Sequence, residues 1–178
     1  MFLARQQQRL NPDLPLVLFT DDSGRDWLAA ARRLPCGSIV VLRGKQRATL
    51  LDRLRPLPLR LLVAGDAVLA GEADGLHLPE QRAREAAHWR CRRPDWIITA
   101  SAHSLRALMQ LRHVDAAFLS PVFATTSHPG ATVLTPVRAA FIAAHALVPV
   151  YALGGVDARK APLLAPAFSG IAAITALC

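Results

Sequence analysis

The chain has 178 residues, enough for one substantial core and too few for two domains of ordinary size, so it reads as a single domain over 1–178. Hydrophobic residues make up 52% and charged residues 19%, which excludes a disordered or fibrous chain. The net charge of +8 is almost all arginine, Lys45 and Lys160 being the only lysines; it favours an anionic ligand, while the absence of aromatic interleaving or a binding motif argues against nucleic acid.

Met1 to Arg9 has one short apolar patch followed by Gln and Arg, which is not the core of a signal peptide. Strand-like apolar runs then follow at Leu16 to Thr20, Ser38 to Leu42, Leu59 to Val63 and Gly75 to Leu78, and again at Trp96 to Ala100, Ala116 to Ser120, Val148 to Leu153 and Gly170 to Thr175. Their two faces are both apolar, as in buried parallel strands. Helical patterns lie between them, at Arg25 to Leu34, Gln46 to Leu54, Arg82 to Arg92, Ser104 to His113, Pro136 to Leu147 and Ala158 to Leu164. Asp66 to Glu72 has room for about two turns. Thr135 before Pro136 reads as a helix N-cap, and Asp157 can cap the next helix. After Thr175 only Ala176, Leu177 and Cys178 remain, so the outer helix that follows the last strand of a barrel is expected to be missing. The N-terminal arm, or a second subunit of a homo-oligomer, would then cover that end. Charge or proline interrupts every apolar run before it reaches membrane-spanning length, so no membrane partner is expected. Cys36, Cys91 and Cys178 are odd in number and lack metal-finger spacing, which fits reduced thiols in a cytoplasmic protein.

Eight strand–helix alternations can close as a (β/α)8 barrel or spread as a doubly wound open sheet, and the pattern leaves both open. Polar residues fall just past the strand ends: Asp21 and Asp22, Arg43 and Lys45, Asp66, His77 and Glu80, Ser101 and His103, Ser127 and His128, Gly154 and Gly155, and Thr175. In a barrel they meet at one mouth, where sites on this fold lie; singly, each can equally be a turn or cap residue. Gly154 and Gly155 let the backbone approach an anion before a helix start, and Ile174 with Thr175 would complete a phosphate cup after the last two strands. Alternation around Gly44 sends Arg43 and Lys45 to one side, where they could grip a diphosphate, or they are surface charges. Asp66 is either a helix cap or a carboxylate that holds Mg2+ with phosphate oxygens. Ser120 to Thr132 has the Ser/Thr/Gly/Pro content of an ordered, lid-like loop.

Taken together, the motifs resemble those of thiamine-phosphate synthase and its TenI thiazole-tautomerase relative. Ala73-Asp-Gly-Leu-His-Leu is similar to ADGVHL, Ser101-Ala-His-Ser to S-[AT]-H-S, and Ser120-Pro-Val-Phe-Ala-Thr to GPVFPT. Leu153-Gly-Gly-Val is similar to IGGI, and Gly170-Ile-Ala-Ala-Ile-Thr-Ala-Leu to GVAVISAI. The resemblance implies a compact α/β fold, a (β/α)8 TIM barrel. It also implies a transferase that joins an aminopyrimidine methyl diphosphate to a thiazole phosphate, releasing pyrophosphate with Mg2+ assisting. On that resemblance Arg43 and Lys45 bind the diphosphate, Asp66 is the Mg2+ ligand, and Ser101 lies near the pyrimidine. Thr125 and Ser127 contact the thiazole phosphate, Gly154, Gly155, Ile174 and Thr175 form the phosphate cup, and His128 stands where the family has a lid lysine. Val41 replaces the family's Gln, Gly65 its Asn, and the second metal carboxylate falls near Arg82. The characteristic lid histidine of the tautomerase falls near Pro121. A TenI-like tautomerase and a silent phosphate-ligand-binding barrel are the alternatives.

Overall fold

The doubly apolar runs form eight short strands: β1 (Val17–Phe19), β2 (Ile39–Leu42), β3 (Arg60–Ala64), β4 (Gly75–Leu78), β5 (Ile97–Ala102), β6 (Ala116–Leu119), β7 (Val150–Ala152) and β8 (Gly170–Ala173). In this computed structural model, which describes residues 15–124, 133–164 and 167–177, each strand pairs in parallel with the next. β8 returns to β1, Val17 lying opposite Ala172, so the sheet closes as a barrel rather than spreading open.

Closure explains why both faces of each strand are apolar. Alternate residues turn into the barrel, where Phe19, Val41, Leu62, Phe118 and Tyr151 pack together. The intervening residues, such as Leu18, Val40, Val63 and Ile98, face the outer helices and belong to a separate, larger core. The outer layer comprises α1 (Trp27–Arg32), α2 (Arg47–Leu54), α3 (Ala67–Ala70), α4 (Ala86–Arg92), α5 (Leu105–Gln110) and α6 (Pro136–Ala144). A 3₁₀ segment, Glu80–Glu85, leads into α4. Side chains cap three of these helices: the Asp26 carboxylate accepts from Ala29 N, Asp66 from Leu69 N and the Ser104 hydroxyl from Ala107 N.

Two local expectations are corrected. Thr135 takes φ +63° and makes no side-chain cap; Pro136 alone marks the start of α6. The helix expected over Ala158 to Leu164 is only a 3₁₀ turn, Ala161–Leu164. Pro162 accounts for this, because inside an α-helix beginning at Ala158 it would lack the N–H that bonds back to the preceding turn. After β8 the described chain forms one further 3₁₀ turn, Thr175–Leu177.

At the opposite end of the barrel two carboxylates tie down the starts of strands. Asp74 Oδ2 accepts from Leu61 N at 2.8 Å and Asp115 Oδ2 from Ile98 N at 2.7 Å. Each is also paired with an arginine, Arg60 and Arg90 respectively. Among the described residues no helix is long and apolar enough to cross a membrane.

Candidate functional site

Parallel closure puts the C-terminal ends of all eight strands at one mouth. On its β1–β2 side the buried Thr20 hydroxyl accepts from Arg43 N at 2.9 Å and donates to Arg43 O at 3.2 Å, bracketing that residue's backbone. Arg43 Nε then donates to Thr20 O at 2.9 Å, and the guanidinium lies 5.1 Å from the centroid of Phe19, an interior residue. Its two terminal nitrogens have no hydrogen-bond partner among the described residues. Burial lowers the Arg43 pKa and the nearby Asp21 charge opposes that shift, yet the group stays cationic. A desolvated cation with unused donors facing the mouth favours an anion there.

Lys45 does not join it. The chain turns at Gly44, φ +85°, where an added Cβ would run into the Asp22 carboxylate; strand alternation therefore ends and Lys45 is exposed. Its N–H is held by Asp22 Oδ1 at 2.8 Å, while Asp21 accepts from Ser23 N. Glu80 likewise accepts from the backbone N–H of His103, whose ring reaches the carbonyl of Ser120.

His77 lies within β4 rather than beyond it, and its ring points into the barrel. Nδ1 is 3.0 Å from Thr99 Oγ1 and Nε2 is 3.0 Å from Ser101 Oγ, both on β5. Phe19 and Phe118 meet the imidazole edge-on. Burial, and secondarily the positive charge of Arg43, push its pKa down to about 3, so the ring is neutral at physiological pH. With two hydroxyl partners, this neutral ring holds the Ser101 hydroxyl in place at the mouth, donating to it or accepting from it according to its tautomer.

The β3 end departs from a magnesium site. Asp66 Oδ1 accepts from Leu69 N and Oδ2 from Arg47 Nη2 at 3.1 Å, and these bonds hold its carboxyl below the usual range. Arg82 stands on the other flank, donating from Nη1 to Gly65 O at 2.6 Å and pairing with both oxygens of Glu85. No group of three or more His, Cys, Asp or Glu gathers among the described residues. One carboxylate flanked by two guanidiniums does not fit a divalent cation, which needs anionic oxygen donors.

At the β7 and β8 ends of the mouth, Gly154, Gly155, Ile174 and Thr175 line a common pocket of about 300 Å³ together with Asp157 and Lys160. Both glycines have positive φ, +92° and +63°. A Cβ on Gly154 would meet Pro121, and one on Gly155 would meet Ala124 O and Phe123, so the chain leaving β6 rests directly on this turn. That loop donates from Val122 N to Leu153 O and from Phe123 N to Gly154 O. The N–H groups of Gly155 and Val156 have no partner among the described residues. Among the described residues no α-helix follows before β8 to add a dipole. Lys160 supplies positive charge instead, its Nζ bonded to Gly155 O at 2.9 Å and paired with Asp157 at 3.1 Å.

Thr125, Ser127 and His128 lie outside the described residues. Sequence reasoning missed the parts played by Lys160, Thr99, Arg47 and Arg82. For Lys160 a signal existed, since it follows the Gly-Gly turn by a few residues and is one of two lysines in an arginine-rich chain.

The fold and site define a parallel (β/α)8 barrel whose mouth carries an inward arginine after β2 and a glycine-built pocket after β7 and β8. The thiamine monophosphate synthase family model matches residues 42–177, and the chain belongs to that family. A thiamine-phosphate synthase of Azorhizobium caulinodans is 30% identical over 186 aligned positions, covering 93% of this chain and 88% of that protein. An Aquifex aeolicus protein named "Putative thiamine-phosphate synthase 2" is 40% identical over 97 residues, 53% of this chain; the match spans about half of that relative, 52%. Among solved structures, the thiamine phosphate pyrophosphorylase of Pyrococcus furiosus superposes with a TM-score of 0.73 at 21% identity, covering 96% of this chain and 88% of that one, and supports the fold.

Proposed function

We propose that the chain is a thiamine-phosphate synthase-like transferase, joining an aminopyrimidine methyl diphosphate to a thiazole phosphate. The observation that carries this reading is a pair of separate anion-ready places at one mouth: the desolvated Arg43 after β2 and the Gly155–Thr175 pocket after β7 and β8. Two phosphorylated substrates that react with each other need such a pair, with the reacting atoms between them.

In the reaction the bond from the pyrimidine methylene carbon to the diphosphate oxygen breaks, and pyrophosphate leaves with the bonding electrons. The thiazole nitrogen lone pair forms the new C–N bond to that carbon. Arg43 offers two unused terminal nitrogens to the charge growing on the departing diphosphate. Ser101, held by His77, is within the mouth where the pyrimidine would lie. Gly155 N–H, Val156 N–H and Lys160 hold the thiazole phosphate, with Ile174 and Thr175 closing the cup; the family resemblance adds Thr125, Ser127 and His128 to these contacts. No step is assigned to Mg2+.

The test is turnover. Purified protein given both substrates, with and without Mg2+, is expected to form thiamine phosphate and pyrophosphate in equal amounts, and Arg43→Ala to lower kcat/KM by about a hundred-fold. Absence of product while thiazole phosphate still binds would replace this reading with the silent phosphate-ligand barrel, which the pairing of Asp66 with Arg47 in place of a metal favours.

A further inference from the structure

We infer that the diphosphate side of the mouth is a metal-free guanidinium site, in which Arg47 and Arg82 do for a diphosphate what a divalent cation would otherwise do. The inference rests on the diphosphate reading given above and extends it to the chemistry of recognition.

Three arginines converge on the ends of β2 and β3. Arg43 is turned inward over Phe19 with both terminal nitrogens unused. Arg47, at the start of α2, reaches back to Gly44 O with Nη1 and to Asp66 with Nη2, both at 3.1 Å. Arg82, from the 3₁₀ segment after β4, crosses to Gly65 O and pairs through Nε and Nη2 with Glu85; the Glu85 bond above all, with the Asp66 charge adding to it, raises its pKa. Gly65 and Asp66 thus stand between two guanidiniums that arrive from different elements. Asp66 acts as a positioning residue here, since its carboxylate anchors Arg47 and faces Arg82 rather than offering a vacant oxygen pair.

Gly65 takes φ +69°, and its backbone turn presents the carbonyl that Arg82 Nη1 reaches, the guanidinium lying in ordinary contact range of the turn. Chemically, a planar guanidinium donates pairs of N–H groups in the spacing of two phosphate oxygens and keeps its charge at any working pH. A terminal diphosphate, as a monoester or as free pyrophosphate, is the ligand class that presents enough oxygens to engage the unused Arg43 nitrogens together with the second N–H that each terminal nitrogen of Arg47 and Arg82 keeps beside its protein bond.

Calorimetric titration with inorganic pyrophosphate separates the outcomes. In EDTA, pyrophosphate is expected to bind, and adding Mg2+ to change its affinity by less than about two-fold; Mg2+ alone should give no binding heat. Arg47→Gln and Arg82→Gln, each checked for native circular dichroism, should weaken pyrophosphate at least about ten-fold, with Arg82→Lys weakening it less than Arg82→Gln. Tightening by Mg2+ of ten-fold or more, or wild-type affinity in both glutamine variants, overturns the inference. If turnover is observed but pyrophosphate binding proves strictly Mg2+-dependent, the metal-free site fails and the transferase reading survives. Metal-free pyrophosphate binding without turnover gives the converse.

Discussion

Replacing His77 by Gln exposes a specific cost of burying an imidazole in this barrel. The ring is enclosed, its two nitrogens satisfied by Thr99 and Ser101, and its pKa is pushed to about 3 from an ordinary value of 6.5. Above about pH 7 both folded and unfolded chains carry it neutral, and its full contribution to stability is present. As the pH falls below 6.5 the unfolded chain takes up a proton that the native state refuses, so that contribution is progressively lost down to the folded value near 3. At about pH 5 the loss is the free energy of protonating an ordinary histidine there, about 2 kcal/mol. His77→Gln keeps an amide near the Ser101 hydroxyl but cannot titrate. Urea unfolding at about pH 7.5 and pH 5 should therefore show wild type losing about 2 kcal/mol more than the variant between the two conditions, whatever the variant's starting stability. Equal losses, or an NMR titration giving His77 a pKa near 6, would refute the claim that a neutral ring is locked inside the barrel.

Gly155→Ala places a Cβ against Ala124 O and Phe123 in a backbone of φ +63°, and should cost about 2–4 kcal/mol in urea unfolding; a change under about 0.5 kcal/mol would show that the loop after β6 is not pressed onto this turn. Asp115→Ala strips the acceptor from Ile98 N, on a fully buried strand residue, and should destabilise by about 1–3 kcal/mol, with faster amide exchange at Ile98 as the local readout. Lys160→Ala removes a cation from the Gly155 pocket and should weaken inorganic phosphate several-fold while leaving pyrophosphate affinity on the Arg43 side unchanged. Ser101→Ala is expected to lower kcat about ten-fold or more with little change in thiazole phosphate affinity, measured in the coupling assay described above.

Strand positions are legible in the sequence because a parallel strand in a closed barrel is buried on both faces, so apolar runs such as Ala116 to Leu119 coincide with β6. The same property hides which face is which, and His77 consequently reads as a mouth residue although it points inward. Alternation extrapolates safely only while the chain remains extended; past Gly44 it does not, and Lys45 parts from Arg43. The stretch after the Gly-Gly turn carries a helical apolar pattern, but Pro162 confines it to a 3₁₀ turn. The Gly155–Thr175 pocket is legible because both halves follow strands that adjoin in the closed sheet. The surroundings of Asp66 are not, because Arg47 and Arg82 reach it from two separate elements and only the fold brings them there.

The bare backbone at Gly154 and Gly155 makes a single partition serve two rooms. Pro121, Phe123 and Ala124 press directly on it, and the pocket beside Thr175, which Ala124 also lines, opens against the same backbone, with no side chain between to cushion either. An occupant that nudges this partition must move the stem of the loop leaving β6, and a substitution in that stem must be felt by the occupant. The two are mechanically one part.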